Sequence, residues 1–301
     1  MGLLQTCGRA LLRWYLRHFP LRNGKQALYD RFQRQLAPGE RLVTCELPAG
    51  IRVRLDLQDP SQRKTFFFGT YDERHELQLI PKILDPGEVF WDIGAHIGVY
   101  SLLAARRVGE DGLVAAFEPG QIAYEMFRAN IALNHLENIL AFRVTVTDRE
   151  GEAVLYAAGS YADGGANLFQ PGPGQIPAHP CRTITLDHFC RDLLLPPPDF
   201  IKMDIEGAEL AALRGADLIL SRHHPLLLME VKDSVLKTAG ADKAALQDLL
   251  KHYGYMPACL HRRRWYVLRD IHQACSRNLL WYKPSVARHR EKAARIPLKG
   301  V

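Results

Sequence analysis

Residues 88–100 read EVFWDIGAHIGVY: an apolar run from Val89 to Trp91, an aspartate, a turn carrying Gly94 and Gly98, and the start of a helix. β-Branched and aromatic residues favour a strand, and glycines mark the turn that leaves it. Outward from this stretch the same rhythm recurs. Apolar strands are predicted at 112–118 (GLVAAFE), 139–144 (ILAFRV), 198–204 (PDFIKMD) and 225–231 (PLLLMEV), with helices at 98–108, 121–134, 186–194, 206–220 and 241–253. Alternating apolar strands and amphipathic helices predict an α/β fold whose mostly parallel sheet is covered on both faces. Near 255–268 the short runs YMPACL and WYVL, separated by HRRR, predict a terminal antiparallel hairpin.

The segment before this rhythm is different. Residues 41–57 alternate Val43, Cys45, Leu47 and then Ile51, Val53, Leu55 and Leu57 around Pro48–Gly50, the pattern of a β-hairpin. YDERHELQLIPKIL (71–84) predicts a helix with a break at Pro81. In the first helix Leu4, Cys7, Leu11, Trp14 and Phe19 fall near one face and Arg9, Arg13 and Arg17 on another. That basic amphipathic pattern is shared by helices packed on a domain and helices lying on a membrane interface, and the sequence does not choose. MGLLQT also satisfies the loose myristoylation pattern at Gly2. Residues 159–177, rich in Gly and Pro and without periodicity, predict a long loop of the kind that covers substrates.

At 301 residues, 47% hydrophobic and 24% charged, the chain has the composition of a folded protein with a sizeable core. The formal charge of +6 is concentrated at the ends, where Arg9, Arg13, Arg17, Arg22, Lys25, Arg31 and Arg34 face only Asp30 in the first 36 residues. Such ends suit an anionic surface or plain solvation. The 6 cysteines form no CxxC pair, which points to free thiols in a reducing compartment and away from a disulfide framework or zinc site. No apolar run is long enough to span a bilayer, and the arginines interrupt any secretory signal. The expected location is cytoplasmic, with peripheral contact at the inner face of a membrane through the basic helix as the attached expectation.

What the first turn holds follows from its residues. A dinucleotide fingerprint needs G-x-G-x-x-G, and its central glycine is here His96. A carboxylate at Asp92 would repel a phosphate and attract a cationic ligand. S-adenosylmethionine (SAM), with a sulfonium and an amino group and no phosphate, is such a ligand. The next strand ends in Glu118, where an acid can accept from ribose hydroxyls. A second constellation lies in DFIKMDIEGAELAALRGA (199–216). Strand alternation predicts Lys202, Asp204 and Glu206 on one face at the strand's carboxyl end. One carboxylate there would accept a proton from a substrate hydroxyl, with Lys202 tuning or orienting it. Asp204 and Glu206 are both candidates for the base, and a metal requirement is left open.

With these residues in order, the chain resembles the FkbM family of SAM-dependent methyltransferases. The likeness runs from YDERHE (71–76) through the D-x-G-A-x-x-G turn, the Glu118-Pro119 pair, NIALN (130–134), VTDREG (146–151), TLDHF, the K-x-D-x-E-G-A-E block and LLLMEV to SRNLLWYKP (276–284). It implies a Rossmann-like class I methyltransferase sheet with a C-terminal antiparallel hairpin. It assigns Asp92, Gly94, Ala95 and Gly98 to the SAM turn, Glu118 to the ribose and Thr147 and Asp148 to the adenine side. It sets Asp204, with Lys202 and Glu206, toward the methyl group and acceptor. His96 stands where the family often has Asn. The implied organisation is an N-terminal helix and hairpin extension (1–70), the methyltransferase domain (71–285) and a basic tail (286–301). The expected activity is O-methylation of a sugar, glycolipid or natural-product hydroxyl, the acceptor being a small molecule or a glycan- or lipid-linked group, with no nucleic-acid partner. An NAD(P)-dependent oxidoreductase would need the missing glycine. A non-catalytic membrane-binding module would have no use for Asp92, Glu118 and Asp204 together.

Overall fold

The computed structural model describes residues 3–19, 24–71, 73–157, 176–192 and 195–299, and its backbone separates into two compact units. One comprises residues up to Arg74 together with Ala132–Asn134. It contains helices α1 (Leu3–His18) and α2 (Lys25–Phe32), strands β1 (Leu42–Leu47) and β2 (Ile51–Asp56), and helix α3 (Pro60–Phe68). The hairpin pairs Leu47 with Ile51 across a tight turn, and alternation buries Cys45, Leu47, Ile51, Val53 and Leu55. Asp59 caps α3 by accepting from Ser61 N at 2.7 Å and Gln62 N at 3.0 Å, with Pro60 in its first turn. Asn134 is clamped to Arg52 by two backbone hydrogen bonds, donating to its O at 2.6 Å and accepting from its N at 2.9 Å.

Helix α1 turns its faces the other way from a simple apolar docking. Leu12 and Leu16 are buried, while Leu4, Leu11 and Trp14 are 89%, 67% and 56% exposed. The arginines decide this. Arg17 donates to Phe66 O at 2.8 Å, completing orphan carbonyls at the end of α3, and the Arg13 guanidinium sits 4.1 Å from the Phe66 ring centroid.

The other unit spans the remaining residues. Pro81 divides its entry into two short helices, α4 (Arg74–Leu77, whose first residue belongs to the first unit) and α5 (Ile80–Ile83). There follow β3 (Val89–Ile93), α6 (Val99–Val108), β4 (Leu113–Phe117), α7 (Gln121–Asn134, whose residues Ala132–Asn134 belong to the first unit), β5 (Ile139–Phe142), β6 (Thr145–Val146), β7 (Gly151–Ala157), β8 (Ile176–Ile184), α8 (Leu186–Arg191), β9 (Phe200–Met203), α9 (Glu209–Arg214), β10 (Leu226–Glu230), α10 (Asp233–Thr238), α11 (Lys243–His252), β11 (Met256–His261), β12 (Arg264–Val267), β13 (Asn278–Tyr282), α12 (Ala287–Ala294) and β14 (Leu298–Lys299). Among the described residues the main sheet has nine strands in the order β14-β12-β11-β13-β10-β9-β3-β4-β5. The run β10-β9-β3-β4-β5 is parallel, and β13 enters antiparallel between β10 and β11. Its core packs Trp91, Phe117, Phe189, Ile201, Leu227 and Trp281.

Three expectations change. The helix predicted at 206–220 begins only at Glu209, because Glu206 (φ 50°) and Gly207 (φ 102°) hold left-handed backbone that no helix accepts. After α9 the chain closes with a wide turn at Ile219–His223. Strands β6, β7 and β8 form a separate three-stranded sheet that was not foreseen, and residues 159–175 of the predicted loop lie outside the described residues. The basic C-terminal stretch is built into the fold. Lys292 Nζ is buried against Glu88 Oε1 at 2.5 Å and Ile83 O, Arg288 pairs with Asp199 at 2.6 Å, and β14 extends the sheet beside β12. A buried ammonium is tolerated because a carboxylate and a carbonyl replace its water.

Candidate active site

Open parallel sheets bind ligands beyond the carboxyl ends of their strands. Here the order β10-β9-β3-β4 brings four such ends together, carrying Glu230, Asp204, Asp92 with Gly94, and Glu118. The register pairs Asp92 with Lys202 and Ile93 with Met203, so the turn after β3 abuts the turn after β9. Gly94 (φ 80°) makes that possible: a Cβ there would lie 1.9 Å from Asp204 O. Gly98 (φ 87°) opens α6 for the same kind of reason, since its Cβ would meet the Phe127 ring at 2.0 Å.

Glu118 and the turn hold one another. The His96 and Gly120 N–H groups donate to its two oxygens at 2.7 and 2.9 Å, and Gly94 and Ala95 N–H donate to Phe117 O at 2.9 and 3.0 Å. His96 takes φ 52° in this turn. Thr147 is buried and its hydroxyl contacts Asp148 Oδ1 at 3.3 Å, with Asp148 exposed beyond it.

Asp92 and Lys202 sit differently from expectation. Asp92 is completely enclosed, so it is not an open acid at the mouth of the turn. Its Oδ2 accepts from Ser101 Oγ at 2.5 Å, and its Oδ1, which has no hydrogen bond, lies 3.6 Å from Lys202 Nζ. Burial pushes the Asp92 carboxyl up, against the pull of Lys202 and Ser101. Lys202 Nζ also donates to Gly94 O at 2.7 Å, so this lysine braces the glycine turn from beneath.

The alternation expected to gather Lys202, Asp204 and Glu206 stops where β9 ends, at Met203. Asp204 is half-buried at the strand tip and Glu206, on left-handed backbone, swings to Lys232, 3.2 Å away. Asp204 instead meets Glu230 of the neighbouring strand, their oxygens within 4.8 Å. Burial first, then the Asp204 charge, pushes the Glu230 carboxyl up to about 8, although Lys232 Nζ lies 2.6 Å from Glu230 Oε2. Lys232 feels opposing effects: burial works to lower it, but Glu230, Glu206 and Asp204 hold it above its ordinary value. With one ammonium among three carboxyls, Glu230 keeps its proton well above the ordinary carboxyl range. Glu209, buried behind them, accepts from Ile205 N at 3.1 Å and Gly207 N at 3.3 Å, and burial raises its carboxyl to about 7.

Glu230, Lys232 and Glu209 were not singled out by sequence reasoning. The signal for Glu230 was present, since it ends an apolar strand as Glu118 does. Elsewhere in this unit His188 Nδ1 stands 2.9 Å from both Glu150 Oε1 and Asp192 Oδ2, a donor set able to hold a divalent cation.

Compared with known proteins, residues 92–257 match the family model described as the methyltransferase FkbM domain. The AMB antimetabolite synthetase AmbE of Pseudomonas aeruginosa is 28% identical over 251 residues, which is 72% of this chain and 12% of that protein. The hexuronic acid methyltransferase AglP of Haloferax volcanii is 25% identical over 147 residues, 48% of this chain and 57% of that protein. The chain therefore spans only part of the length of both relatives. Among solved structures, methyltransferase FkbM from Methylobacillus flagellatus shares 19% identity at a TM-score of 0.43, covering 74% of this chain and 55% of that one.

Proposed function

The chain belongs to the FkbM methyltransferases, a SAM-dependent family, and from that premise we propose that it methylates a hydroxyl oxygen of a sugar, glycolipid or natural-product acceptor. The observation that carries this reading is the juxtaposition of the Gly94 turn with Asp204, backbone against backbone, at adjacent strand ends. SAM supplies an electrophilic methyl group on a sulfonium. The residues present fit it: a glycine turn that side chains would fill, His96 in place of the central glycine that a pyrophosphate turn needs, and at Glu118 an acceptor-only group whose direction two backbone N–H groups set, suited to ribose hydroxyls. Ala95 lies in the same turn, and Thr147 and Asp148 border the adenine side.

Direct displacement depends on holding the acceptor oxygen within roughly 3 to 3.5 Å of the methyl carbon, in line with sulfur. Asp204, at the rim of the turn, takes the hydroxyl proton, and Glu230 shares that proton with it. Lys202 keeps the turn in place through Gly94 O and Asp92, and Glu206 orients Lys232; both are positioning residues. A sugar acceptor is favoured by AglP, a hexuronic acid methyltransferase by name.

Titration calorimetry with S-adenosylhomocysteine tests the cofactor step. Saturable binding by the intact protein, weakened at least tenfold in Glu118→Ala, is expected. A folded wild-type protein that binds none would end the reading. Methyl transfer to a panel of hydroxylated sugars, assayed in parallel, tests the acceptor class.

We infer in addition a peripheral membrane contact through α1, which would bring the enzyme to a lipid-linked acceptor. No helix among the described residues is long and apolar enough to cross a membrane. The exposed stripe of Leu4, Leu11 and Trp14 supports interfacial seating, with tryptophan a residue of membrane interfaces. Sedimentation with anionic vesicles should carry the protein down, and Leu11→Asp with Trp14→Asp should leave it in the supernatant; equal partitioning of both would remove the inference.

A further inference from the structure

Two thiols 16 residues apart meet in the antiparallel part of the main sheet. Cys259 lies on β11, buried, paired in register with Leu279 of β13 and Tyr266 of β12. Cys275 is exposed, in the segment that leads from the turn at Ile271–Gln273 into β13. Their sulfurs are 3.1 Å apart. A disulfide bond is about 2.0 Å long, so closure asks for a movement of about 1 Å.

The surroundings hold that approach in place. Leu260 N donates to Ser276 Oγ at 3.1 Å, Ser276 Oγ donates to Asn278 O at 2.9 Å, and the Cys275 thiol points at Leu260 O at 3.7 Å. The segment 275–278 is thus laced to β11 at Leu260, the residue next to Cys259. The other four cysteines, Cys7, Cys45, Cys181 and Cys190, have no sulfur partner among the described residues.

We propose that Cys259 and Cys275 form an oxidisable dithiol that closes to an intramolecular disulfide when a small disulfide oxidant reaches the exposed Cys275. The Cys275 thiolate attacks one sulfur of the oxidant, here oxidised glutathione, and releases one glutathione thiolate. The Cys259 sulfur then attacks Cys275 and expels the second glutathione. Two electrons pass from the cysteine pair to the oxidant, one S–S bond breaks for one that forms, and the two thiol protons end on the two released glutathiones. Burial, then the neighbouring Cys259 sulfur, raises the Cys275 thiol to about 11, so reaction is slow and is followed to completion over a long incubation.

The closed bond would stiffen the entry to β13 next to the site. Arg277 O accepts from Val231 N at 2.8 Å, and Asn278 pairs in register with Glu230. Oxidation of that segment therefore reports on the strand that flanks the proposed acid pair.

The test uses the full chain incubated with oxidised glutathione, then intact mass and peptide mapping without reduction. The expected result is a monomer lighter by two hydrogen atoms, a linked peptide pair containing Cys259 and Cys275, and reversal by dithiothreitol. Cys259→Ser should instead accumulate glutathione on Cys275. Glutathione left standing on Cys275 in the wild-type protein would overturn the proposal, as would a link between two chains, a different cysteine pair or no reaction at all. The wild-type outcomes need no folded variant, and none depends on methyl transfer.

Discussion

The chemistry turns on single carboxyls whose neighbours set their protons. Glu230 is held protonated up to about 8 by burial and by Asp204. A general base works only without its proton, so turnover is expected to climb as pH passes through about 8 and to flatten above. Glu230→Gln removes the carboxyl that shares the proton, and the midpoint should move to lower pH. A midpoint that stays put would show that the pair does not govern the base. Glu209 makes a stability prediction of the opposite kind. Its folded value, about 7, lies above its ordinary 4.5, so the folded state binds the proton more tightly. The stability this adds is full below about 4.5 and is lost as pH rises through about 7, a swing of about 3 kcal/mol at 1.36 kcal/mol per unit. Glu209→Gln stays neutral and keeps an oxygen for the Ile205 and Gly207 N–H groups. Its melting temperature should therefore fall less than that of the wild type between those two pH values, and parallel curves would refute the assignment.

Elements matter here through their ends. The turn from β3 into α6 is usable because Gly94 combines a left-handed φ of 80° with contact to Asp204 O. Gly87 has almost the same φ, 83°, but nothing within 4 Å of its would-be Cβ. Gly87→Ala should therefore cost only backbone strain, about 1 kcal/mol, whereas Gly94→Ala should cost about 2 kcal/mol or more and abolish S-adenosylhomocysteine binding. Urea midpoints of the two variants measure the difference; equal losses would mean that the close approach of the two turns carries no weight. Helix α1 shows the converse. Its amphipathic period was readable, but which stripe faces inward was not, because Arg17, which completes helix carbonyls, and Arg13, which stacks on Phe66, pack as well as leucines do.

At the scale of the molecule, the rhythm of the five parallel strands β3, β4, β5, β9 and β10 was determined by sequence alone, since burial on both sheet faces demands apolar runs and covering helices demand their own period. The turn glycines and the acids at strand ends were legible for the same local reason. What only the tertiary structure decided is which of those groups meet. Lys202 faces Asp92 and not Asp204, and Glu230 joins Asp204, because the sheet order sets β9 between β3 and β10 and no local period encodes that order. The C-terminal basic stretch looked solvated by composition, yet Lys292 is buried because Glu88, more than two hundred residues earlier, is there to receive it. Local patterns specify elements through burial and backbone preference; charge partners are specified by contacts distant in sequence, which form only once the sheet has assembled.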